Sequence, residues 1–532
     1  MPVVVLANPN QTAIVGHPFD YDASQGGATF MDPDGDPLTY EVLEAGYPRG
    51  LRPLETRVLG PATEAGKTAM MIVASDGRGG RSANTFEINV APNSPPAVVK
   101  PNSHQLVAVG ERVERDARDA IFSDPDGDRL TYDAEFETAA HGLRLVGMQL
   151  SGVFDAVGLV RVKVTANDGF GGVTSDTFLI AAPAPEPGRP ALPDPPYVYD
   201  DDQQQPRLPY YYELSRDNGP PFWDKAPPSG PSTNAIGTLG RVLFYDKRLS
   251  ITNTHACGSC HSQAAGFAKP ERFSIGVQGL PTRRNAMSLA DVRYSTNNGF
   301  FLDDRSQGIE HTVLMPIEDP LELGQPLSLL EAKLAATDFY GPLFTAAFGT
   351  PEVTRDRIAR ALVQFLSSIV SYRTKFDLAV TPQTWDDIFT RDPARVFTSE
   401  ELSGHELFVT HCNNCHMEDI QKVPLAMNNG LDLVSQDRGA GEDDFRPAAL
   451  RNIAETGPYM HDGRFATLRE VIDHYDHGVQ PNAHLSSRLR DTEGQPLRLN
   501  LSETDKTALE AFLRTLSDDY LLTHPKFSDP FE

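Results

Sequence analysis

The four cysteines of this 532-residue chain constrain its fold more than any other feature, because all of them belong to two copies of one short motif. The copies are Cys257-Gly-Ser-Cys260-His261 and Cys412-Asn-Asn-Cys415-His416. In a Cys-x-x-Cys-His motif the two thiols add to the vinyl groups of a haem, and the adjacent histidine ligates the iron. A thioredoxin-like redox pair or half of a zinc site needs no histidine at this place. The sequence therefore predicts two covalently attached haem c groups.

The first 182 residues contain a tandem duplication. The string FMDPDGDPLTY at residues 30–40 returns 92 positions later as FSDPDGDRLTY at residues 122–132. Short alternating runs lie between Gly, Asp and Pro clusters, which is typical of the strands and turns of a β-sandwich. We predict two all-β sandwich repeats, residues 1–92 and 93–182. They resemble the bacterial cadherin-like and dystroglycan-type immunoglobulin-fold repeats.

The repeated loop carries three closely spaced aspartates in each copy, namely Asp32, Asp34 and Asp36, then Asp124, Asp126 and Asp128. Carboxylate oxygens are ligands that Ca²⁺ prefers. Asp-Pro-Asp-Gly is also an ordinary turn in which an Asp side chain binds the backbone and Gly takes a positive φ. The sequence alone leaves both interpretations open.

The rest of the chain changes character twice. Residues 183–231 are rich in proline, which favours an extended linker. Beyond them the pattern turns helical. For example, a capping box, Ser502-x-x-Asp505, is followed by apolar residues at helical spacing, namely Leu509, Phe512, Leu513 and Leu516. We predict two mainly α-helical haem domains, residues 232–395 and 396–532.

Charge and hydropathy narrow the classes of partner and location. The chain has 47 Lys and Arg against 73 Asp and Glu, a formal net charge of −26, which argues against nucleic acid as a partner. No run approaches the roughly 18 apolar residues of a membrane span. The start, MPVVVLANPN, has no features of a secretory signal. Because haem is attached covalently to exported apoproteins, we expect a mature or trimmed chain in the periplasm or outside a bacterium.

The sequence around both motifs resembles the bacterial di-haem cytochrome c peroxidase family, including its methylamine-utilisation branch, MauG. The resemblance covers about residues 235–520 and includes LGRVLFYDKRLSITNTHACGSCH and FRPAALRNIAETGPYMHDGRFATLREVIDHYDHG. It implies that the haem ligated by His261 reacts with hydrogen peroxide and that the haem ligated by His416 transfers electrons. The implied electron donor is a small cytochrome or copper protein, or a protein substrate that is oxidised during its maturation.

The family places a glutamate over the open face of the first haem, six residues after a proline. Here PIEDPLEL puts Glu322 six residues after Pro316. A carboxylate in that place can take a proton from one peroxide oxygen and return it to the other. Glu318 is the rival candidate.

At the position of the distal histidine, this chain has a different residue from most of the family. Classical members close the first haem with a second histidine sixteen residues beyond the proximal one, and the matching residue here is Val277. No histidine lies between His261 and His311. The resemblance therefore implies a five-coordinate first haem that needs no reductive activation.

The expected sixth ligand of the second haem also differs. Classical members supply a methionine fourteen residues after the histidine of the PYxHxG block, and counting from His461 reaches Tyr475. A phenolate favours ferric and higher states of iron, whereas a thioether favours ferrous iron. The resemblance to MauG implies that two oxidising equivalents are stored as two Fe(IV) centres. Alternative ligands are Met417, Met460, His474 and His477.

A third departure concerns the path between the haems. The family has a tryptophan in a Phe-Trp-Asp-Gly-Arg string, and here the string FLDDR at residues 301–305 puts Leu302 in its place. Leucine cannot be oxidised to a hopping radical. Longer tunnelling, passage through Phe300 or Phe301, and weaker sharing of charge all stay open.

Two further roles follow from the resemblance. Relatives bind Ca²⁺ between the haems through an Asn side chain and two backbone carbonyls, and the matching positions are Asn285, Thr456 and Pro458. Arg446 is a candidate partner for a haem propionate, since guanidinium offers bidentate hydrogen bonds. A surface arginine is the alternative.

The favoured function is thus a di-haem peroxidase of the MauG type. Three alternatives remain at this point: a peroxide-detoxifying cytochrome c peroxidase, a non-enzymatic di-haem electron carrier with no open iron face, and an adhesin built on the repeats.

Overall fold

The computed structural model describes residues 1–200, 203, 223–224, 227, 230–295, 299–380, 392–416 and 425–531. It divides into two compact units, residues 1–156 with 160–180 and residues 157–159 with 181–532. The first unit is all-β and the second is mainly helical. The predicted fold class is confirmed.

The first repeat consists of nine strands. These are β1 (Val3–Val4), β2 (Gln11–Ile14), β3 (Pro18–Asp22), β4 (Phe30–Met31), β5 (Thr39–Glu44), β6 (Arg52–Leu54), β7 (Arg57–Pro61), β8 (Gly66–Ser75) and β9 (Arg81–Ala91). A four-stranded sheet has the order β2-β9-β8-β5, and a three-stranded sheet has the order β3-β7-β6. Burial alternates along β8, where Met70, Ile72 and Ala74 face the core. This period of two fixes the register, because a slip of one residue would expose the apolar face.

The second repeat has the same topology. Its strands are β10 (Ala97–Lys100), β11 (Gln105–Leu106), β12 (Arg112–Asp116), β13 (Ile121–Ser123), β14 (Thr131–Phe136), β15 (Leu143–Val146), β16 (Gln149–Val153), β17 (Gly158–Asn167) and β18 (Val173–Ala182). The sheets run β11-β18-β17-β14 and β12-β16-β15. The duplication read from the sequence is therefore a duplication of structure.

The repeated acidic loop forms the same turn in both repeats. The Oδ1 of Asp32 accepts a hydrogen bond from the Asp34 backbone N–H at 2.9 Å, and Asp124 does the same for Asp126 at 2.8 Å. The following glycines have φ of 80° and 85°, which glycine adopts without strain. The turn interpretation is confirmed. In the second repeat the carboxylates of Asp124 and Asp128 also lie within 4.8 Å of Asp168.

The second unit contains eleven α-helices in its described part. These are α1 (Thr233–Tyr245), α2 (Cys257–Cys260), α3 (Ile309–Glu318), α4 (Leu327–Ala336), α5 (Tyr340–Phe348), α6 (Arg355–Ser367), α7 (Lys375–Val380), α8 (Ser399–His411), α9 (Leu468–Asp473), α10 (Glu503–Arg514) and α11 (Asp519–Thr523). Short strands are β19 (Trp223–Asp224), β20 (Tyr294–Ser295), β21 (Gly299–Phe300) and β22 (Ser306–Gln307). Among the helices described, none is long and apolar enough to cross a membrane.

Two matching helix crossings precede the two haem motifs. A Cβ on Gly240 of α1 would lie 1.9 Å from the Ala361 carbonyl oxygen of α6. A Cβ on Gly404 of α8 would lie equally close to the Ala508 carbonyl oxygen of α10. Only glycine allows such an approach of two backbones. The helix that leads into each motif is thereby fixed against a later helix.

Helix α10 begins as predicted. Ser502 is its N-cap and forms a capping box with Asp505. The four predicted apolar residues are buried, namely Leu509, Phe512, Leu513 and Leu516.

Part of the predicted linker lies on the helical unit. The Ala184 backbone N–H donates to the Thr252 carbonyl at 2.8 Å, and Tyr199 is buried with its ring 6.2 Å from that of Phe365. Most of the linker after residue 200 falls outside the described residues.

Candidate haem sites

The first Cys-x-x-Cys-His motif forms α2 and is held against α1. The ring of Tyr245 occupies the space beside Gly258, since an ideal Cβ there would lie 2.5 Å from Tyr245 Cδ1. Burial raises the pKa of the Cys257 thiol to about 12 and also raises the pKa of Cys260. The charge of Glu322 adds to both shifts.

His261 is oriented by the loop that follows it. Its Nδ1 lies 2.9 Å from the Phe267 carbonyl oxygen. The loop is closed by the Ser262 backbone N–H, which donates to the Ala268 carbonyl at 3.0 Å. Because a carbonyl only accepts, this contact favours the proton on Nδ1 and leaves Nε2 as the ligating nitrogen.

The three motif residues Cys257, Cys260 and His261 line a cavity of about 300 Å³. Most of its wall is apolar and includes Phe244, Leu289, Val292, Phe300, Leu362 and Leu366. The charged residues that line it include Arg305, Glu322 and Arg446. A thiol pair, an oriented histidine and apolar walls with a few charged groups fit a covalently attached haem.

Glu322 lies in this cavity on the turn after α3. Its backbone N–H donates to the Asp319 carbonyl at 2.9 Å. Burial, with a smaller contribution from the charge of Asp319, raises the pKa of Glu322 to about 7, and Arg305 opposes the shift. The rival Glu318 does not line the cavity, and its Oε1 accepts instead from the Leu327 backbone N–H at 3.5 Å. Of these two glutamates, Glu322 is the one that lines the cavity.

Val277 is joined to Glu322 by a backbone hydrogen bond, but it does not line the cavity. Its N–H donates to the Glu322 carbonyl at 3.0 Å. Its side chain is buried, with Cγ2 3.1 Å from where a Cβ on Gly324 would be. Of the described residues that line the cavity, His261 is the sole histidine.

The second motif directly follows α8. Thr398 and Glu401 form the capping box that starts this helix. Burial raises the pKa of the Cys412 thiol to about 12. The Cys415 Sγ lies 3.6 Å from the Met427 Sδ. The contact with Met427 was not predicted from the sequence, because Met427 lies twelve positions after Cys415 and no local pattern links the two.

Tyr475 lies near both thiols of the second motif. It belongs to a π-helical turn, His474–Gly478, and such turns are frequent at functional sites. Burial raises the pKa of Tyr475 to about 12, and the polar side chain of Asn429 opposes the shift. The charges of Cys415 and Cys412 act on the same hydroxyl.

The other candidate ligands of the second haem are placed differently. The side chain of His477 is 64% exposed and bonds Asp476. His474 Nε2 lies 3.2 Å from the Asn429 carbonyl oxygen. The Met460 Sδ accepts from the Asn429 amide at 3.6 Å. Met417 lies outside the described residues.

Leu302 and Arg446 meet at the first cavity. The Arg446 backbone N–H donates to the Leu302 carbonyl at 2.8 Å. The Arg446 guanidinium lies 3.3 Å from the Asp304 carboxylate and donates to the Gly299 carbonyl. Arg446 is therefore a cavity residue with an acidic neighbour, not a surface arginine.

The predicted calcium ligands lie in neighbouring segments. The Asn285 backbone N–H donates to the His461 carbonyl at 2.9 Å. The Asn285 side-chain amide donates to the carbonyls of Glu271 and Arg272 at 3.2 Å, which directs its Oδ1 away from them. Thr456 packs at Gly266, whose carbonyl accepts from Ser288 at 2.6 Å.

Two Cys-x-x-Cys-His motifs, each behind a matching helix crossing, define a c-type cytochrome with two haems. A profile of the di-haem cytochrome c peroxidase family matches residues 234–384. The methylamine utilization protein MauG of Methylophilus methylotrophus is 30% identical over 308 residues, which are 55% of this chain and 85% of that protein. The chain belongs to the di-haem cytochrome c peroxidase and MauG family.

Two further relatives agree with this assignment. The cytochrome c551 peroxidase of Nitrosomonas europaea is 28% identical over 305 residues, 54% of this chain and 82% of that protein. A crystal structure of a MauG-like protein associated with microbial copper homeostasis is 29% identical, covers 58% of this chain and 99% of its own, and has a TM-score of 0.50. The chain is thus a di-haem peroxidase, of a family that carries two haem c groups and uses hydrogen peroxide and a redox partner.

Proposed function

We propose that this protein reduces hydrogen peroxide at the haem attached to Cys257 and Cys260 and ligated by His261, with Glu322 as the acid and base. The observation that supports this most directly is that Glu322 lines the same cavity as His261 and has a pKa of about 7. The second haem is held by Cys412, Cys415 and His416, with Tyr475 as the further ligand.

The role of Glu322 follows from the stoichiometry. Reduction of H₂O₂ to two waters takes up two electrons and two protons, and the electrons come in net terms from the redox partner, with the bound haems as the groups that would pass them on. Glu322 accepts the proton of one peroxide oxygen and returns it to the other, which leaves as water. Its pKa near neutrality suits both steps, since a base and an acid of matched strength are needed in turn.

The rate of reaction with peroxide is expected to rise with pH up to neutrality. Below its pKa of about 7 Glu322 is mainly protonated and cannot accept a proton. The second-order rate constant should therefore rise roughly tenfold per pH unit below that value and level off above it. Stopped-flow mixing across pH 5 to 9 measures this, and a flat native profile would contradict the assignment.

The resting protein is expected to contain one high-spin ferric haem. The support is that no histidine other than His261 lines the first cavity among the described residues. Absorption and EPR spectra should show the high-spin signal and its change within seconds of adding stoichiometric H₂O₂, without prior reduction. A fully low-spin, unreactive protein would favour an electron carrier instead.

We further propose that the two haems share the two oxidising equivalents, as in the MauG branch. Tyr475 supports this, because a phenolate stabilises oxidised iron. The electron donor is a small cytochrome or copper protein, or a protein side chain. Arg446, in the first cavity, pairs with a haem propionate. Because covalent haem attachment uses exported apoprotein, the periplasm is the proposed location.

Calcium is proposed between the haem domains, bound by the Asn285 side chain and the carbonyls of Thr456 and Pro458. Removal of calcium by a chelator is expected to lower the free energy of unfolding by about 2.7 kcal/mol, compared with the protein in calcium at a hundredfold excess over Kd. Calorimetry of the holoprotein measures this. In Asn285→Ala the chelator should have little further effect, and an equal chelator effect in both proteins would rule out this site.

A further inference from the structure

Arg241 is a buried arginine whose charge has no acidic partner among the described residues. It lies on α1 with 4% of its surface exposed. Its Nε donates to the Ser528 carbonyl at 2.7 Å, and its Nη2 lies 3.4 Å from the Ser528 hydroxyl. The guanidinium carbon lies 5.3 Å from the ring centroid of Tyr197. These contacts are all to neutral groups, so they leave the positive charge without a counter-charge.

Two other arginines of the helical unit are similarly buried, and each has an acidic partner. Arg248 Nη1 lies 3.2 Å from Asp246 Oδ1. Arg451 Nη1 lies 2.6 Å from Asp377 Oδ1. A charge that is taken out of water costs free energy unless an opposite charge or several hydrogen bonds compensate it. Arg241 differs from both, and an anion bound beside it would supply the missing charge.

Arg241 lines a cavity of about 160 Å³, which shares no lining residue with the haem cavity. Leu192 at its rim is 37% exposed, so the cavity meets solvent there. Because one water needs about 10–15 Å³ of such space, the cavity has room for a molecule with on the order of ten non-hydrogen atoms. Its other walls are mostly apolar or aromatic and include Leu192, Pro196, Tyr197, Tyr199 and Leu343.

The guanidinium of Arg241 is the one charged group among the described residues of this lining. The Thr238 hydroxyl donates to the Asn234 carbonyl at 2.8 Å, and the Tyr199 hydroxyl donates to the Lys526 carbonyl at 3.2 Å. An arginine has five N–H donors, and in the described part of the chain Nη1 donates to no acceptor.

A planar guanidinium with free N–H groups matches a carboxylate, which accepts two parallel hydrogen bonds. A phosphate would leave most of its oxygens against apolar walls, where they would lack hydrogen bonds.

We infer that this cavity binds a small monocarboxylate that carries an apolar group. The carboxylate pairs with Arg241, and the apolar group packs against Tyr197 and Leu343. The site is separate from the haem chemistry, so the inference does not depend on the proposed function.

The bound carboxylate is expected to stabilise the fold around α1. Arg241 and Tyr245 lie one turn apart on this helix and hold the same C-terminal segment, since Tyr245 donates to the Phe527 carbonyl and Arg241 to the Ser528 carbonyl. An anion that neutralises Arg241 removes the cost of its unpaired charge in this packing.

The test is calorimetric titration of the full-length holoprotein with benzoate, compared with its uncharged isostere benzamide. Benzoate should bind saturably at one site per chain. Its affinity should exceed that of benzamide by roughly tenfold or more, as for a hydrogen bond to a charged group. The melting temperature should rise with the benzoate concentration, because the ligand binds the folded state. Chloride at the same concentration should produce neither effect.

Variants of the chain assign the binding to Arg241. Arg241→Gln should lower the benzoate affinity roughly tenfold to a hundredfold and leave the benzamide affinity unchanged. Arg189→Gln is the control, because the side chain of Arg189 is 66% exposed and pairs with Asp338 at 3.1 Å; its benzoate affinity should equal the native value. Should Arg241→Gln not fold, Ala346→Leu decides, because Ala346 is an exposed residue of the cavity wall. The larger side chain should weaken benzoate binding while Arg241 stays in place.

Three results would overturn the inference. If millimolar benzoate gives neither binding heat nor stabilisation, Arg241 is a structural arginine only. Equal affinities for benzoate and benzamide, or native benzoate affinity in Arg241→Gln, would show that the guanidinium takes no part in binding. Competition by chloride at equal concentration would assign a small inorganic anion instead of a carboxylate.

Discussion

Replacing Glu322 by glutamine is expected to slow the reaction with hydrogen peroxide by about 100- to 10,000-fold, the range for loss of a positioned acid–base group. Glutamine keeps the size and polarity of the side chain but cannot accept the peroxide proton. The second-order rate constant, followed by stopped-flow absorption of the first haem, measures the loss. The rise of the rate with pH should also disappear, since the group with a pKa of about 7 is gone.

The matched control is Glu318→Gln. Glu318 is four residues away and was the rival candidate, but its carboxylate faces the start of α4 instead of the cavity. Its replacement should leave the peroxide rate within a small factor of the native value. An unaltered rate in Glu322→Gln, or a large loss in Glu318→Gln, would remove Glu322 from the mechanism.

Replacing Tyr475 by methionine is expected to raise the reduction potential of the second haem by on the order of a few hundred mV, since axial ligands tune haem potentials over about 0.8 V. A phenolate stabilises oxidised iron, and a thioether stabilises ferrous iron. The oxidised state formed with peroxide should also be shorter-lived, because the second haem then holds its equivalent less well. Potentiometric titration and Mössbauer spectroscopy after peroxide addition measure the two effects.

His477→Met is the control for this change. His477 is two residues from Tyr475, yet its side chain is largely exposed and bonds Asp476. A methionine there should leave the potential unchanged. If Tyr475→Met keeps the native potential and the native lifetime of the oxidised state, the role of Tyr475 is wrong.

Much of the fold was predictable because its signals are local. The repeat of FMDPDGDPLTY, the two-residue period of strands such as β8, and the capping box at Ser502 depend only on neighbouring residues. The packing of residues 184–200 on the helical unit was not predictable, since proline content reports backbone stiffness and not what the chain contacts. The glycines at the two helix crossings carried no signal either, because their partners lie more than 100 positions away.

The candidate sites divide in the same way. The two haem motifs could be read directly from the sequence, whereas Glu322 and Tyr475 were predicted from the resemblance to the family, position by position. The sequence did not show that the side chain of Val277 packs beside Gly324 and outside the cavity, or that Arg446 has Asp304 as a neighbour.

The amino-acid sequence by itself determined how many haems this protein binds, which residues attach them and that two β-repeats precede them, because covalent attachment and strand periodicity depend on spacing along the chain. Only the tertiary structure decided which carboxylate meets the first haem cavity, how strongly burial raises its pKa, and which side chains surround Tyr475. Those properties arise from desolvation and hydrogen bonds between segments that are distant in sequence.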